Sequence, residues 1–359
     1  MDLISVGNPL FDRCVKTEFD PFFPLFYDLL KSNAQLKPQL KVSMTITANK
    51  YNSLILVLVT CCSVTLATGQ EERKRKKQDP ETVMLTTKDN VELRAEWFPG
   101  EPGKTTVPVI LIHDWDGSRT DLYPLASYLH KEKGYAVLVP DLRGHGDSIS
   151  RKNVDELIDR KKFRKNDFIG VLEDIDCCKR FLVAKNNQGE VNVDLLVIGV
   201  VGKMSPFAVD YTLRDWSWAP LGGIKQGQDV KAIVMISPEK KFKSASMTPA
   251  FRNPLINGKA AEPISIFMTW GSRNSLSSNE GDSIYSTLNR SRPEVSVKLS
   301  GDEKWKKMTL IRVLYNSKLS GGDLVSEQAD RMPRAVGLFI DKKIAARKAE
   351  SRWQDRSRK

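Results

Sequence analysis

The segment "YAVLVPDLRGHGDS", residues 135–148, decides the fold class of this 359-residue chain. Its first part, residues 135–140, is an almost unbroken apolar run, which is typical of a β-strand that is buried on both faces. The second part, residues 141–148, places Gly144 and Gly146 among charged side chains, and this composition indicates a tight loop. Because a strand buried on both faces needs helices above and below it, the segment predicts an α/β protein with a mostly parallel sheet.

The rest of the sequence repeats this alternation of apolar runs and helical patterns. Further runs predict buried strands at 107–112, 193–201, 229–237, 263–271 and 294–302, and helical spacing is found at 121–134, 167–183, 206–216 and 323–349. Two β-type runs on either side of the turn at 88–90 predict an antiparallel hairpin at the start. The expected architecture is therefore a mostly parallel sheet of about eight strands, with helices on both faces and an N-terminal antiparallel hairpin.

This order of segments resembles the α/β-hydrolase superfamily, in particular its lipases, esterases and serine aminopeptidases. The resemblance covers roughly residues 82–345 and rests on "PVILIHDWDGS" at 108–118, "DLRGHGDS" at 141–148, the strand–turn–helix at 194–213 and "TWGSRN" at 269–274. It implies that the chain has the α/β-hydrolase fold and that its activity is the cleavage of ester or amide bonds. A Ser, Cys or Asp nucleophile would follow strand five, a carboxylate strand seven and a histidine strand eight.

The nucleophile and acid positions that this resemblance implies do not hold the usual residues. The nucleophile position falls on Val201, Gly202 or Lys203, depending on how the turn is aligned, and none of these is a usable hydrolase nucleophile in that geometry. The acid position holds Asn274 where the family places an Asp. We therefore expect the nucleophile and the acid to have been lost.

The base is also missing from its expected place. The chain has three histidines, His113, His130 and His145, and all of them precede the nucleophile turn, whereas the family's base follows strand eight. Loss of any one member of such a triad leaves only about 10³–10⁴-fold catalysis over water. The sequence therefore predicts a hydrolase fold without ordinary acyl hydrolysis, although an enzyme that cleaves ester or amide bonds stays an open alternative.

Two further segments have roles that the resemblance implies. In the oxyanion loop, His113, Asp114 and Trp115, the Asp replaces the usual Gly and puts a negative charge where an oxyanion needs donors. The second segment is interpreted as a structural loop, made up of Asp141, Arg143, Gly144, His145, Gly146 and Asp147.

Other chemistry receives less support from the sequence. An active hydrolase with relocated groups would use Ser205 as nucleophile, Asp282 as acid and Lys203 as base. Asp114, Asp116 and Asp141 could converge on a divalent cation, but solvated loop carboxylates are the favoured interpretation, so no metal is expected. No cofactor is expected either, because the chain has neither a phosphate-binding loop nor a dinucleotide fingerprint.

The N-terminal part differs in composition from the rest. Lys50, an apolar run at 54–67, and the small residues Ala67 and Gly69 indicate a secretory signal, with a single membrane anchor as the alternative. The predicted organisation is an extension at 1–43 that is not part of the native protein, a signal peptide at 44–69, a charged linker at 70–81, a hydrolase-like domain at 82–345 and a basic tail at 346–359. Export to the periplasm, the envelope or the medium follows from this interpretation.

The net charge of +12 permits contact with anionic polymers or the envelope through the basic ends, whereas no specific nucleic-acid binding is expected. The sequence thus predicts an exported, catalytically degenerate protein that binds a small molecule or a protein at the former active-site cleft. The alternatives are an active serine hydrolase with an atypical nucleophile and base, and a basic envelope-associated binding protein.

Overall fold

The structure, a computed structural model, describes residues 78–292, 301–347 and 353–357. The predicted extension, signal peptide and most of the linker lie outside the described residues. The strands are β1 (Glu81–Thr86), β2 (Val91–Phe98), β3 (Pro108–Ile112), β4 (Ala136–Pro140), β5 (Ser150–Arg151), β6 (Leu196–Val201), β7 (Val230–Ile236), β8 (Lys241–Phe242), β9 (Ala245–Ser246), β10 (Ser265–Gly271) and β11 (Leu310–Tyr315). The α-helices are α1 (Tyr123–Lys133), α2 (Lys165–Asn187), α3 (Ser205–Ser217), α4 (Pro254–Asn257), α5 (Ser275–Ser291), α6 (Gly301–Lys307), α7 (Gly321–Glu327) and α8 (Met332–Lys343).

The main sheet has the strand order β1-β2-β4-β3-β6-β7-β10-β11, with the short β5 paired to β2. The pairs β1–β2 and β2–β4 are antiparallel, whereas every pair from β4 to β11 is parallel. The predicted fold class is therefore confirmed, including the opening hairpin and the sheet of about eight strands.

Helices cover the sheet on both faces, and this is visible from neighbouring residues of β10. Phe267 packs against Phe339 of α8, with ring centroids 5.5 Å apart. Ile266 and Met268 belong instead to a buried cluster that also contains side chains of α2, α3 and α5. Because successive side chains of a strand point to opposite faces, α8 covers one face, and α2, α3 and α5 cover the other.

The last strand of the described sheet, β11, is not among the predicted strands. The sheet ends on β11, which pairs with β10, whereas Gly301 and Asp302 of the predicted strand at 294–302 begin α6. Residues 294–300 lie outside the described part of the chain. β11 is an edge strand, and Arg312 together with the partly exposed Leu314 interrupts its apolar pattern.

The predicted helix at 323–349 is two helices, α7 and α8. Pro333 stands in the first turn of α8, where its missing N–H costs nothing and its ring prevents the preceding helix from continuing. Residues 353–357, within the predicted basic tail, pack against the body of the protein. Within the described ranges, no helix is long and apolar enough to cross a membrane.

Candidate functional site

The turn that follows β6 is built around one glycine. β6 ends at Val201, and Gly202 has a φ of +55°, a left-handed conformation that favours glycine. A short 3₁₀ turn then leads directly into α3. Of the three residues predicted for the nucleophile position, Gly202 is the one at the bend of this strand–turn–helix.

The carboxylate of Asp114 lies at the centre of this turn. Its Oδ1 atom accepts hydrogen bonds from the backbone N–H of Trp115 at 2.7 Å and from that of Lys203 at 2.9 Å. The first donor follows β3 and the second follows β6, which is the neighbouring parallel strand. Two such N–H groups are what an acyl hydrolase of this fold uses to hold an oxyanion, and here they hold the oxygen of a side chain.

Two glycines leave the space that Asp114 occupies. A Cβ atom added to Gly202 would lie 2.2 Å from Asp114 Oδ2, and a Cβ atom added to Gly321 would lie 3.3 Å from the same oxygen. Gly321 begins α7, the helix after β11, so it lies in the region to which the resemblance assigns a histidine. Its own N–H donates to Ser237 Oγ at 3.0 Å. A side chain at Gly202 therefore cannot coexist with the observed position of Asp114.

The surroundings of Asp114 and Lys203 shift the pKa of both side chains. Burial raises the pKa of Asp114, and the N–H groups of Lys203 and Trp115 oppose this rise. Lys203 Nζ lies 2.5 Å from Asp116 Oδ2, and this hydrogen bond raises the pKa of Lys203. Because a base must first lose its proton, this arrangement keeps the amine of Lys203 in its ammonium form.

Ser205 and Asp282, the residues of the alternative catalytic hypothesis, each make other contacts. Ser205 is fully buried, and its Oγ donates to the carbonyl of Gly202 at 2.7 Å. Asp282 lies on α5, where its carboxylate accepts from Ser278 Oγ at 3.1 Å and pairs with Arg312 at 3.4 Å. The hydroxyl of Ser205 thus closes the first turn of α3, and Asp282 is half-exposed beside an arginine.

Asn274, at the predicted acid position, caps α5. Its Oδ1 accepts the N–H of Ser277 at 2.9 Å, and its Nδ2 donates to the carbonyl of Lys318 at 2.9 Å. Asn is a favoured N-cap residue because its side-chain oxygen satisfies a free helix N–H. The amide therefore ties the start of α5 to the loop that follows β11.

His113 is fully buried and supports the loop that carries Asp114. Its Nε2 accepts the N–H of Leu142 at 3.0 Å, and its Nδ1 lies 2.6 Å from the carbonyl of Asp114. An Nε2 that accepts and an Nδ1 that donates define one neutral tautomer. Burial, followed by the neighbouring His145, lowers the pKa of His113 to about 4.

The loop at 141–148 is tied to Trp115 and to α2. His145 lies between the carbonyls of Arg143, at 3.0 Å, and Trp115, at 2.7 Å. Arg143 pairs with the buried Asp174 of α2 at 2.7 Å. The remaining loop contacts are Asp141 accepting the N–H of Arg119 at 2.9 Å, Asp147 pairing with Arg119 at 3.1 Å, and positive φ angles at Gly144 and Gly146.

The predicted carboxylates do not form a metal site in the described part of the chain. No group of three or more His, Cys, Asp or Glu side chains there is arranged to hold a metal ion. Asp141 is paired with Arg119, Asp116 with Lys203, and Asp114 with backbone N–H groups.

A shallow polar groove of about 350 Å³ lies beside the turn. It is lined by Glu239, Lys240, Lys241, Thr248, Leu276 and Glu280. Glu239 connects the groove to the turn, because its N–H donates to the carbonyl of Gly202 at 3.3 Å. Burial and the charge of Asp114 raise the pKa of Glu239. The groove thus carries both acidic and basic side chains.

Two features of the site cannot be predicted from the sequence. Gly321 is not predicted as a site residue, because a glycine in a loop carries no chemical signal of its own. The sequence shows an Asp at position 114 in place of the usual Gly, but the acceptor role of Asp114 depends on the N–H of Lys203, which is distant along the chain. The order of the strands offers a partial signal, since the ends of adjacent parallel strands meet at one edge of the sheet.

Comparison with solved structures identifies the fold. The Pyrococcus furiosus esterase Pf2001 is 17% identical, with a TM-score of 0.50 over 74% of this chain and 93% of that chain. A hyperthermophilic esterase from the archaeon Pyrobaculum calidifontis is 12% identical, with a TM-score of 0.50 over 93% and 99% of the two chains. A bacterial heroin esterase is 11% identical, with a TM-score of 0.50 over 80% and 90%.

These neighbours are esterases, and the fold of this chain is the α/β-hydrolase fold. Neither a protein-family model nor a curated protein matches the sequence. At identities this low, the likeness shows the fold and says nothing about the reaction of this chain.

Proposed function

We propose that this protein is a catalytically inactive α/β-hydrolase-fold protein whose oxyanion hole is occupied by its own Asp114. The observation that supports this most directly is the pair of hydrogen bonds from Trp115 and Lys203 to a single carboxylate oxygen. An acyl hydrolase needs those two N–H groups free when the tetrahedral intermediate forms. A resident anion excludes the substrate carbonyl both by its volume and by its charge.

The neighbouring positions support the same proposal. Gly202 has no side chain with which to attack, and Gly321 has none with which to accept a proton. Lys203 is paired with Asp116, and Asn274 is engaged as a helix cap. Nucleophile, base, acid and donors are thus each replaced or engaged, and catalysis by such groups is strongly interdependent.

A binding role is proposed for the rim of the former cleft. The floor of the cleft is filled by Asp114, and the groove lined by Glu239, Lys240 and Leu276, among others, adjoins the turn through Glu239. Its mixed charges fit a ligand that carries both signs, such as a zwitterion or a polar peptide segment. Together with the predicted signal at 44–69, this gives an exported binding protein, and mass analysis of the secreted chain should find its N-terminus near residue 70.

The test of inactivity compares the native protein with engineered variants. We expect short acyl esters and aminoacyl substrates to be hydrolysed no faster with the native protein than in buffer alone. A serine-directed fluorophosphonate should not label the native protein. Turnover that this reagent abolishes would contradict the proposal. If labelling occurred and was lost in Ser205→Ala, the active-hydrolase alternative would replace it.

A reconstruction tests the role of Asp114 itself. The triple variant Asp114→Gly, Gly202→Ser, Gly321→His frees the donors and supplies a nucleophile and a base. Because a side chain at Gly202 displaces Asp114 from its observed position, the matched control is Asp114→Gly with Gly321→His, which frees the donors and supplies the base but no nucleophile. We expect fluorophosphonate labelling of the triple variant only. Equal labelling of the control would show that the reagent reacts elsewhere, and an unlabelled triple variant would contradict the proposal that Asp114 blocks a site otherwise able to react.

A further inference from the structure

The C-terminal residues 353–357 pack against the end of the sheet that lies opposite Asp114. Asp229 immediately precedes β7, so it lies at the N-terminal ends of the parallel strands, and Asn187 is the last residue of α2. Asp114 and Gly202, in contrast, follow the C-terminal ends of β3 and β6. The contact of this C-terminal segment is therefore a separate feature from the candidate site.

The main contact is a buried arginine–aspartate pair. The two terminal nitrogens of Arg356 donate to the two carboxylate oxygens of Asp229, each at 2.6 Å. The side chain of Arg356 is only 5% exposed, and that of Asp229 is fully buried. Such a bidentate pair is specific in geometry as well as in charge, because the planar guanidinium matches the carboxylate.

The backbone of the segment is also recognised. Asn187 Oδ1 accepts the N–H of Arg356 at 2.9 Å, and Asn186 Nδ2 donates to the carbonyl of Gln354 at 2.8 Å. The ammonium of Lys104 lies 4.0 Å from the centre of the Trp353 ring, a cation–π contact. Two asparagines thus bind the main chain of the segment, while Lys104 contacts the side chain of Trp353 and Asp229 that of Arg356.

Asp229 belongs to a buried ion cluster that Arg356 completes. The ammonium of Lys179 lies 2.6 Å from Asp229, and that of Lys225 lies 3.3 Å away. Asp215 accepts the N–H of Asp229 at 2.7 Å. Burial alone would raise the pKa of Asp229, but the hydrogen bonds from Arg356 keep it below its ordinary value. Loss of Arg356 would leave a buried carboxylate without its bidentate partner.

We propose that Lys104, Asn186, Asn187 and Asp229 form a binding site for a Trp-x-x-Arg peptide, and that the chain's own residues 353–357 are its resident ligand. The site is thus occupied in cis, and it accepts the same peptide in trans once the C-terminus has been removed. A tethered ligand is present at a millimolar effective concentration, so an added peptide competes poorly with the intact chain. This proposal does not depend on whether the protein is an enzyme.

The experiment separates the C-terminal segment from the folded protein. A protease site inserted within residues 348–352 is cleaved after folding, the segment is washed away, and a fluorescent peptide of residues 351–359 is titrated by anisotropy. We expect saturable binding to the cleaved protein and none to the intact protein. The peptide with Arg356→Ala should bind at least about thirtyfold more weakly, because the buried Asp229 then lacks its bidentate partner and keeps only Lys179 and Lys225.

Two control peptides distinguish geometry from charge. Arg356→Lys keeps the charge but loses the planar fork, so it should also bind about tenfold more weakly. Arg352→Ala removes the same charge as Arg356→Ala, and we expect it to bind like the parent peptide. Equal binding by the Arg356→Ala and parent peptides, or an equal loss for Arg352→Ala, would overturn the proposal.

The uncleaved chain provides a second measurement if the cleaved protein unfolds. Arg356→Ala should lower Tm by about 5–10 °C, because it removes the two hydrogen bonds of a buried guanidinium to the Asp229 carboxylate. The neighbouring Ser357→Ala is the control and should leave Tm within about 1 °C of the parent value, as an exposed polar residue does. Equal shifts for the two variants would contradict a specific site for Arg356.

Discussion

Asp114 does the work of several residues in this structure. Its Oδ1 satisfies two backbone N–H groups, and its Oδ2 fills the space left by Gly202 and Gly321. It also lies at the N-terminal end of the turn that leads into α3, where a negative charge is favoured by the helix dipole. A single carboxylate thus replaces the interactions that substrate and catalytic side chains would otherwise make.

Removal of the Asp114 carboxylate should therefore destabilise the protein. We expect Asp114→Ala to lower the free energy of unfolding by about 2–4 kcal/mol, because two N–H groups lose their acceptor. The matched control is Asp116→Ala, which removes a nearby exposed carboxylate and should cost less than about 1 kcal/mol. Urea denaturation of both variants measures the difference, and equal stabilities would contradict the structural role of Asp114.

At the residue scale, the sequence predicts the absence of catalytic residues better than the hydrogen bonds that the remaining residues make. The absence of a histidine after β11 and the amide at Asn274 could be read directly. The occupation of the donors by Asp114 could not, because it depends on two strand ends coming within hydrogen-bond distance. Gly202 was one of three alternatives until its positive φ identified the bend.

At the scale of elements, the loop at 141–148 is fixed to α2 by a buried ion pair. Arg143 contacts Asp174 at 2.7 Å and Asp89 at 2.7 Å. Burial raises the pKa of Asp174 to about 6, and the charge of Arg143 opposes this rise. The loop that carries the sequence signature thus depends on a carboxylate that burial disfavours and an arginine that compensates for it.

The Arg143–Asp174 pair should show strong coupling. Arg143→Met should destabilise the protein by about 3–5 kcal/mol, because it leaves a buried carboxylate with no guanidinium partner. The double variant Arg143→Met, Asp174→Leu should recover much of that loss, since an apolar pair needs no charge compensation. Urea denaturation of the double-mutant cycle measures the coupling energy, and strictly additive effects would show that the two side chains do not act as a pair.

A buried lysine of α8 contacts the C-terminal end of a second element, the short helix α6. Lys343 of α8 donates to the carbonyl of Trp305 and, at 3.1 Å, to that of Lys306. Burial, together with the charges of Arg347 and Arg292, lowers its pKa to about 8. Between pH 8 and 10.5 the unfolded chain keeps the proton while the folded chain releases it, so this lysine makes stability rise with pH.

The comparison for Lys343 is with Lys343→Met. Across pH 8 to 10.5 the native protein should gain stability relative to the variant, by up to about 3 kcal/mol. Denaturant titrations of both proteins at several pH values measure this relative gain. Parallel stability curves in that range would mean that Lys343 titrates normally in the folded state.

At the element scale, the sequence predicts buried strands and helices better than exposed ones. Strands with unbroken apolar runs, such as β4 and β6, were predicted because both of their faces are covered. The apolar pattern does not indicate β11, because an edge strand carries polar and half-exposed residues. The helical pattern at 323–349 does not separate α7 from α8, although Pro333 lies at their boundary. Alternation of strands and helices was sufficient for the fold class even with those errors.

At the scale of the whole molecule, both ends of one buried sheet are closed by the chain itself. Asp114 occupies the donors at the C-terminal ends of the strands, and Arg356 is buried against Asp229 at the N-terminal ends. Each closure joins residues that are far apart in sequence. Global unfolding must therefore release both, and the stability of the whole chain reports on groups at either end.

The global stability should fall in acid because of His113. The folded pKa of His113 is about 4, against an ordinary value of 6.5, so between these values the unfolded chain binds a proton that the folded chain does not. Stability is then lost as the pH falls from 6.5 to 4, by up to about 3 kcal/mol from this side chain. His113→Gln keeps an acceptor for Leu142 and a donor for Asp114 without titrating. Denaturant titrations from pH 7 to 4 should show the native protein losing stability faster than this variant. Equal losses in the two proteins would show that other groups, such as His145, account for the acid sensitivity.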